Sequence, residues 1–329
     1  MSIMKKIKWD VPDIDSAYDL KYKKEKRGKE TIPVTVCIVA MFDENSIIGA
    51  SDRMLTSADI QFEPQQSKIL QFTNSIFTMV AGDSSFQYEI IQKVKTDVVD
   101  RVLKEPDNWW DILDVVDLYI KYYSEERIKK SEIDVLSPLG LNRDSFISRQ
   151  NEMDSSFIRH ITTELVNYEL PRICTIFAGI DQRGAHIYVA ENEHIQCLDN
   201  VGFAAIGAGF WHASSQMMFA GHTKNKSFAE TLLLVYSAKK RAEVAPGVGE
   251  CTDMFVVGPG LGRCVPAIGE HVLGELKKIY ESEQKREQRA KITANQNVKK
   301  YVDDLLQKGI TTKDQAVTVV PDSGGETSG

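Results

Sequence analysis

Apolar residues in the first third of the chain occur in short, nearly continuous runs that are rich in β-branched side chains. Such runs are typical of strands covered on both faces. Residues 43–46 (DENS) supply a turn inside the first pair of runs, and Thr73 and Asn74 form a tight connection inside the second. The pattern predicts four strands in two pairs, at 34–42 with 46–51 and at 67–72 with 75–82.

After Gly82 the apolar spacing changes from strand-like to helical. Apolar residues recur every four positions, which places them on one face of a helix. They are Phe86, Ile90, Val94 and Val98. A second helix is predicted from about Asn108, and the mixed, polar residues 124–158 are predicted to be an insertion with helical and loop parts.

Strand patterns return at 172–206. A hairpin turning at Asp181–Gly184 is predicted there, and the runs HIQCLDN and VGFAAIG are predicted to continue it. Two helices follow, over 209–220 and from a capping box at Ser227 and Glu230 to about Ala242, and then another strand at 251–260.

Strands grouped in blocks, with helices grouped between them, indicate an α+β fold. We expect a four-layer α-β-β-α sandwich of two antiparallel sheets covered by helices. The main domain is predicted to span 33–274, after a charged N-terminal arm at 1–32. Residues 275–329 are predicted to be a charged helical extension, strongest over 275–291, that ends in a disordered tail.

Composition and charge narrow the function classes. The 329 residues carry 40 Lys and Arg against 47 Asp and Glu, a formal net charge of −7, which argues against a nucleic-acid binder. No run of eighteen apolar residues exists, so no membrane span is expected. The N-terminus lacks an apolar signal region, and the five cysteines are scattered without a Cys-x-x-Cys pair. We therefore expect a cytoplasmic protein with structural, unpaired cysteines.

Neither a metal nor a cofactor is expected. The six histidines are dispersed and form no metal-binding motif. The glycine-rich stretch Gly258–Gly262 follows a strand but opens no helix, so we interpret it as a loop rather than a phosphate site. A Ser/His/Asp triad stays open as an alternative, although no nucleophile-elbow motif is present.

Five segments in order resemble proteasome subunits, which belong to the N-terminal-nucleophile hydrolase superfamily. The resemblance covers roughly residues 34–260. The segments are VTVCIVAMFDENSIIGASDR, SKILQFTNSIFTMVAGDSS, IFAGIDQRGAHIYVAE, AAIGAGFWHAS and SFAETLLLVYSAKKRA. The resemblance, closest to the β type, implies a threonine peptidase whose nucleophile is an N-terminal Thr that is freed by cleavage of the preceding peptide bond.

The resemblance also implies the roles of four residues. Asp52 matches the orienting Asp, and Lys68, sixteen residues later, matches the catalytic Lys. Gly82 matches the glycine whose N–H binds the oxyanion. Counting back from Asp52 without gaps gives Val34 or Val36 as the nucleophile position, and Thr35 takes it only if the turn at 43–46 has one residue more than usual.

The same comparison leaves an inactive subunit open as the alternative. The family's Ser between two glycines is Ala208 here, and its later Asp and Ser are Ala245 and Val248. Alanine and valine side chains cannot hydrogen-bond an α-amine. Val34 also stands where active members have Gly before the Thr. Such a subunit would form a ring or scaffold. In either case the resemblance implies a homo-oligomer, and an active chamber would take peptide or protein substrates with an ATP-driven unfoldase as partner.

Overall fold

The structure is a computed structural model, and it describes residues 35–57, 60–106, 108–258 and 263–307. The chain divides into two compact units, one through Leu273 and one from Gly274. Within the described ranges, no helix combines the length and the apolar character needed to cross a bilayer.

Two five-stranded antiparallel sheets form the centre of the first unit. The first sheet has the order β10-β1-β2-β11-β12, with β1 Cys37–Asp43, β2 Ser46–Ser51, β10 Phe203–Ile206, β11 Asp253–Gly258 and β12 Arg263–Val265. The second has the order β5-β6-β7-β8-β9, with β5 Ile69–Gln71, β6 Ile76–Gly82, β7 Ile173–Asp181, β8 Gly184–Glu191 and β9 His194–Cys197. A separate two-stranded ribbon joins β3 Leu55–Ser57 and β4 Ile60–Phe62.

The two sheets pack face to face through an apolar core that draws side chains from both. Phe77 of β6 stacks on Phe255 of β11, with ring centroids 4.3 Å apart. Gly49 of β2 leaves room for this pair, since a Cβ built there would lie 2.2 Å from the Phe255 ring. The core explains why β1 is apolar on both faces: one face meets the second sheet and the other meets helices.

Helices cover the outer faces of both sheets. On the second sheet lie α1 Ser84–Lys104 and α2 Ile112–Ser131, and their buried residues form a core with β6, β7 and β8. The periodic residues Phe86, Ile90, Val94 and Val98 all belong to that core, as predicted. Two later helices pack on the first sheet; they are α5 Phe210–Phe219 and α6 Phe228–Ala242. The predicted α+β sandwich of helix, sheet, sheet and helix layers is therefore confirmed.

The segment between α2 and β7 is largely helical. It contains a π-helical turn at Glu132–Leu136, short 3₁₀ turns at Ser137–Leu139 and Gln150–Glu152, and the helices α3 Arg143–Ser148 and α4 Ser155–Val166. Leu136, Phe146 and Ile161 form a small core of their own. The range 124–158, predicted as an insertion with helical and loop parts, begins inside α2, which continues to Ser131.

One strand assignment from the sequence was wrong. The run at 201–207 does not continue the hairpin of β7 and β8; it forms β10 and pairs with β1 in the other sheet, with Cys37 opposite Ile206. Gly202 adopts a φ of +77° just before β10, where the chain leaves one sheet for the other. The ribbon β3–β4 and the short β12 were not anticipated either.

The charged helical extension is present as α7 Glu270–Gln307. Intrahelical ion pairs line its surface, including Lys278 with Glu275 at 2.6 Å and Lys291 with Glu287 at 3.2 Å. The predicted N-terminal arm at 1–32 and the C-terminal tail lie outside the described residues.

Candidate active site

Thr35 stands two residues before β1 and is almost completely buried, with 2% of its surface exposed. Its Oγ1 donates a hydrogen bond to Oδ1 of Asp52 and accepts one from Nζ of Lys68. The directions are fixed by chemistry, because a lysine ammonium only donates and a carboxylate only accepts. The structure thus brings together three of the four residues that the sequence indicated.

Asp52 follows β2 and is completely buried. Its Oδ1 receives the N–H of Val36 at 3.1 Å and Nζ of Lys68 at 2.9 Å, besides the Thr35 hydroxyl. Its Oδ2 receives the N–H groups of Met54 at 3.1 Å and Gly249 at 3.0 Å. Five donors therefore surround one carboxylate, which fixes its position and compensates its desolvation.

Lys68 reaches the site from the other sheet. It precedes β5, and its side chain is 11% exposed. The ammonium lies against both the hydroxyl and the carboxylate, so a charge that develops on the Thr35 oxygen would have a cation in direct contact. The first sheet supplies the hydroxyl and the carboxylate, and the second supplies the cation.

A β-bulge lies beside the turn of the first hairpin. In the β1–β2 hairpin Met41 pairs with Ile47, but Asp43 pairs with Ser46, so Phe42 is an additional residue. This residue lies next to the 43–46 turn and not inside it, where the count that gives Thr35 required one. The Thr35 side chain contacts both Asp52 and Lys68, whereas Val36 reaches Asp52 through its backbone N–H. Val34 lies outside the described residues.

The turn between β10 and α5 packs directly against Thr35. The N–H of Gly209 donates to the Thr35 carbonyl oxygen at 3.1 Å. Gly207 has a φ of +89°, and a Cβ built on it would lie 2.3 Å from the same oxygen. Both the backbone conformation and the close approach require glycine at this position. The Gly207-Ala208-Gly209 turn therefore holds the main chain of Thr35 in place.

Gly82, the predicted oxyanion residue, ends β6 and pairs with Ile173. Its φ is +130°, and a Cβ there would lie 2.4 Å from the carbonyl oxygen of Arg172. Among the described residues no hydrogen bond joins Gly82 to Thr35, Asp52 or Lys68. Packing against β7 is enough to require this glycine, and its oxyanion role stays a prediction.

Two residues near the site were not anticipated from the sequence. Gly249 donates to Asp52, and Lys239 holds the Gly249 carbonyl oxygen at 2.8 Å. The sequence could have indicated Lys239, because its spacing from Val235 and Ala242 places it on the buried face of α6. Burial lowers the pKa of Lys239, and the carboxylate of Glu243 at 2.6 Å opposes that effect.

The positions that differ from the family pattern are apolar in their surroundings too. Ala245 and Val248 are both buried at the C-terminal end of α6 and beyond it. Val248 contributes a methyl group 3.1 Å from where a Cβ on Gly209 would lie. Val248 thus packs against the turn beside Thr35, and neither Ala245 nor Val248 has a polar side-chain atom.

All five cysteines are unpaired, and burial disfavours the thiolate form of two of them, Cys37 and Cys174. Cys37 lies two residues after Thr35, and burial raises the pKa of its thiol to about 12, so the reactive thiolate is not formed at neutral pH. Burial also raises the pKa of Cys174 to about 12. Within the described part of the chain, no cluster of His, Cys, Asp or Glu side chains could hold a metal ion.

A cavity of about 660 Å³ lies away from these residues, between the end of α2, the strand entry to β7 and the β8–β9 turn. Its arginines are already engaged: Arg127 pairs with Glu193 at 3.2 Å, and Arg172 donates to Glu191 at 2.8 Å. Size alone does not make it a site, because both of its arginines are already paired with carboxylates.

No family model matches the chain, and no curated protein matches it significantly. The fold and the geometry around Thr35 therefore have to support any assignment of function.

Proposed function

We propose that the chain is a proteasome-like N-terminal-nucleophile hydrolase, a threonine-type peptidase that cleaves peptide bonds with Thr35 as its nucleophile. One observation carries the proposal: the buried Thr35 hydroxyl is bonded at once to the Lys68 ammonium and the Asp52 carboxylate. A hydroxyl at a strand start, with a cation and an anion on its oxygen, is the arrangement that activates a weak nucleophile.

The chemistry follows from that arrangement. Cleavage of the bond between Val34 and Thr35 would free the α-amine of Thr35, which titrates near pH 7.7–8.0 in unperturbed chains, at about neutrality. The amine takes the hydroxyl proton as Oγ1 attacks the substrate carbonyl, and it later gives that proton to the leaving nitrogen. The C–N bond breaks, an ester forms on Thr35, and water hydrolyses the ester.

Lys68, held in place by Asp52, stabilises the negative charge that develops on the Thr35 oxygen during the reaction. The ammonium lies beside the oxygen on which negative charge develops, so it stabilises the alkoxide. Asp52 keeps the ammonium in place at 2.9 Å. The N–H of Gly82 is the proposed oxyanion donor.

Intact-mass analysis tests the proposal. The expressed wild-type chain is expected to show the mass of residues 35–329, and the Thr35→Ala chain the full-length mass. Thr35→Ser is the matched control, because it keeps the hydroxyl and should still process. Full-length masses for all three chains would exclude self-processing and with it the proposal.

A catalytically inactive ring or scaffold subunit is the second candidate. The apolar residues Ala208, Ala245 and Val248 favour it, because none of their side chains has a polar atom to offer an α-amine. An inactive subunit would retain residues 1–34, hydrolyse no peptide and still assemble. A large, homogeneous assembly of unprocessed chains would support this candidate.

Assembly and location complete the proposal. We expect a homo-oligomer or ring that encloses the site, takes peptide or protein substrates, and works with an ATP-driven unfoldase in the cytoplasm. The unpaired cysteines support a reducing compartment. A monomeric profile in light scattering would contradict the ring.

A further inference from the structure

Lys239 is a charged side chain with no exposed surface, and its surroundings account for all three of its donor hydrogens. Nζ donates to Oε1 of Glu243 at 2.6 Å, to the carbonyl oxygen of Gly249 at 2.8 Å and to that of Glu250 at 2.9 Å. A buried ammonium needs such compensation, since desolvation penalises its charged form. One partner is a carboxylate on its own helix, and the other two are carbonyls of a single loop.

That loop touches the candidate active site. The N–H of Gly249 donates to Oδ2 of Asp52 at 3.0 Å, and Oδ1 of the same carboxylate receives Thr35 and Lys68. Lys239 thus holds the oxygens of two consecutive peptide units, Gly249–Glu250 and Glu250–Cys251. The Gly249 N–H that donates to Asp52 belongs to the peptide unit just before them.

A second contact holds the loop from the opposite side. Oε1 of Glu63 accepts the N–H of Cys251 at 3.0 Å, and a Cβ on Gly249 would come within 1.8 Å of that oxygen. Glu63 and Lys239 therefore both restrain the loop. Loss of the hydrogen bonds from either residue would leave the Gly249 amide free to turn away from Asp52.

We propose that Lys239 is a positioning residue, which aims the Gly249 amide at Oδ2 of Asp52 and so fixes the carboxylate that orients Lys68 and Thr35. The Lys239 ammonium on α6 holds the loop at Gly249, and the Gly249 amide in turn holds Oδ2 of Asp52. The catalytic part of this inference rests on the proposed function, whereas the positioning part does not.

Hydrogen exchange of the Gly249 amide tests the positioning directly in the full-length chain. The expected result is that Lys239→Met speeds this exchange by about tenfold, as loss of one buried hydrogen-bond anchor would. Lys240→Met is the control on the same helix. It removes the neighbouring ammonium, which donates to Glu243 at 2.7 Å and to the Glu250 carbonyl oxygen at 3.2 Å, but it leaves the Gly249 carbonyl bonded to Lys239. Unchanged protection of Gly249 in Lys239→Met would overturn the proposal.

A milder variant covers the case in which Lys239→Met fails to fold. Lys239→Gln keeps hydrogen-bond donors without the charge, and it is expected to show the same faster exchange in a folded chain. If both variants unfold while Lys240→Met folds, Lys239 is a general core residue and the specific positioning role is wrong.

The catalytic part is tested by labelling Thr35 with a tripeptide vinyl sulfone, which adds to a nucleophilic oxygen. Lys239→Met should slow labelling about tenfold in the wild-type background and less than about twofold beside Asp52→Asn, because its effect passes through Asp52. An equal slowing in both backgrounds would mean a merely structural role. If the wild-type chain is never labelled, the proposed function fails, and the exchange of Gly249 alone decides the positioning.

Discussion

Nζ of Lys68 lies 2.9 Å from Oδ1 of Asp52, although the two residues enter the site from different sheets. Asp52 leaves the end of β2, and Lys68 leads into β5. Stacking the sheets is therefore what creates the ion pair. The buried carboxylate of Asp52 therefore contributes both to the packing of the two sheets and to the contacts of the Thr35 hydroxyl.

Removal of the cation should be costly for folding as well as for reactivity. We expect Lys68→Met to lower the free energy of unfolding by about 3 kcal/mol, because a fully buried carboxylate loses its counter-charge. Denaturant unfolding measures this. Lys278→Met is the control, since the side chains of Lys278 and its partner Glu275 are 72% and 53% exposed. Equal stability losses in the two variants would contradict the role given to the Lys68 pair.

The Gly207 turn should not tolerate a side chain. Gly207→Ala combines a φ of +89° with a Cβ 2.3 Å from the Thr35 carbonyl oxygen, and a loss of about 3 kcal/mol is expected. Gly221→Ala has a φ of +56° but open space around its Cβ, so only about 1 kcal/mol of backbone strain applies. Thermal unfolding of the two variants measures both losses, and the larger loss in Gly207→Ala would show the cost of the close contact beyond that of backbone strain.

The aromatic contact between the sheets predicts a large core effect. Phe77 is 1% exposed and stacks on Phe255 at 4.3 Å, so Phe77→Ala should cost about 3–5 kcal/mol of unfolding free energy. Phe219 is 93% exposed at the end of α5, and Phe219→Ala should change stability by less than about 0.5 kcal/mol. A small effect at Phe77 would argue against face-to-face packing of the two sheets.

A buried histidine predicts how stability responds to acid. Burial lowers the pKa of His222 below its ordinary value of 6.5, and the backbone of Gly202 and Met41 offsets part of that effect. Because the unfolded chain binds this proton more tightly, stability should fall as the pH drops through 6.5 towards the lower pKa of the folded state.

His222→Phe tests that dependence, since it keeps a ring of similar size against Phe203, whose centroid lies 5.9 Å away. Denaturant unfolding at several pH values should give a wild-type curve that falls more steeply in acid than the variant's. Parallel curves would show that His222 does not contribute to the acid sensitivity.

Much of the fold was readable from local pattern. The four-residue spacing from Phe86 to Val98 placed one face of α1 in the core, because helical periodicity and burial coincide there. Ser227 and Glu230 marked the start of α6, and both bonds of the capping box are present. The sequence did not predict that the 201–207 run pairs with β1, because the pattern of a strand does not specify which strand it pairs with.

For the candidate site, the resemblance to proteasome subunits implied Thr35, Asp52, Lys68 and Gly82. Counting along the sequence could not choose between Val34, Thr35 and Val36. In the structure the Thr35 side chain contacts both Asp52 and Lys68, which a count along the chain cannot show. Lys239 and Gly249 were missed because they act through a loop distant in sequence from Asp52.

The sequence by itself determined the layers, because burial on one or both faces leaves a periodic record in the order of apolar residues. Only the tertiary structure determined the contacts of the candidate active site. Thr35, Lys68 and Gly249 meet at Asp52 through the stacking of two sheets and the return of a late loop, and contacts between distant segments leave no period in the chain.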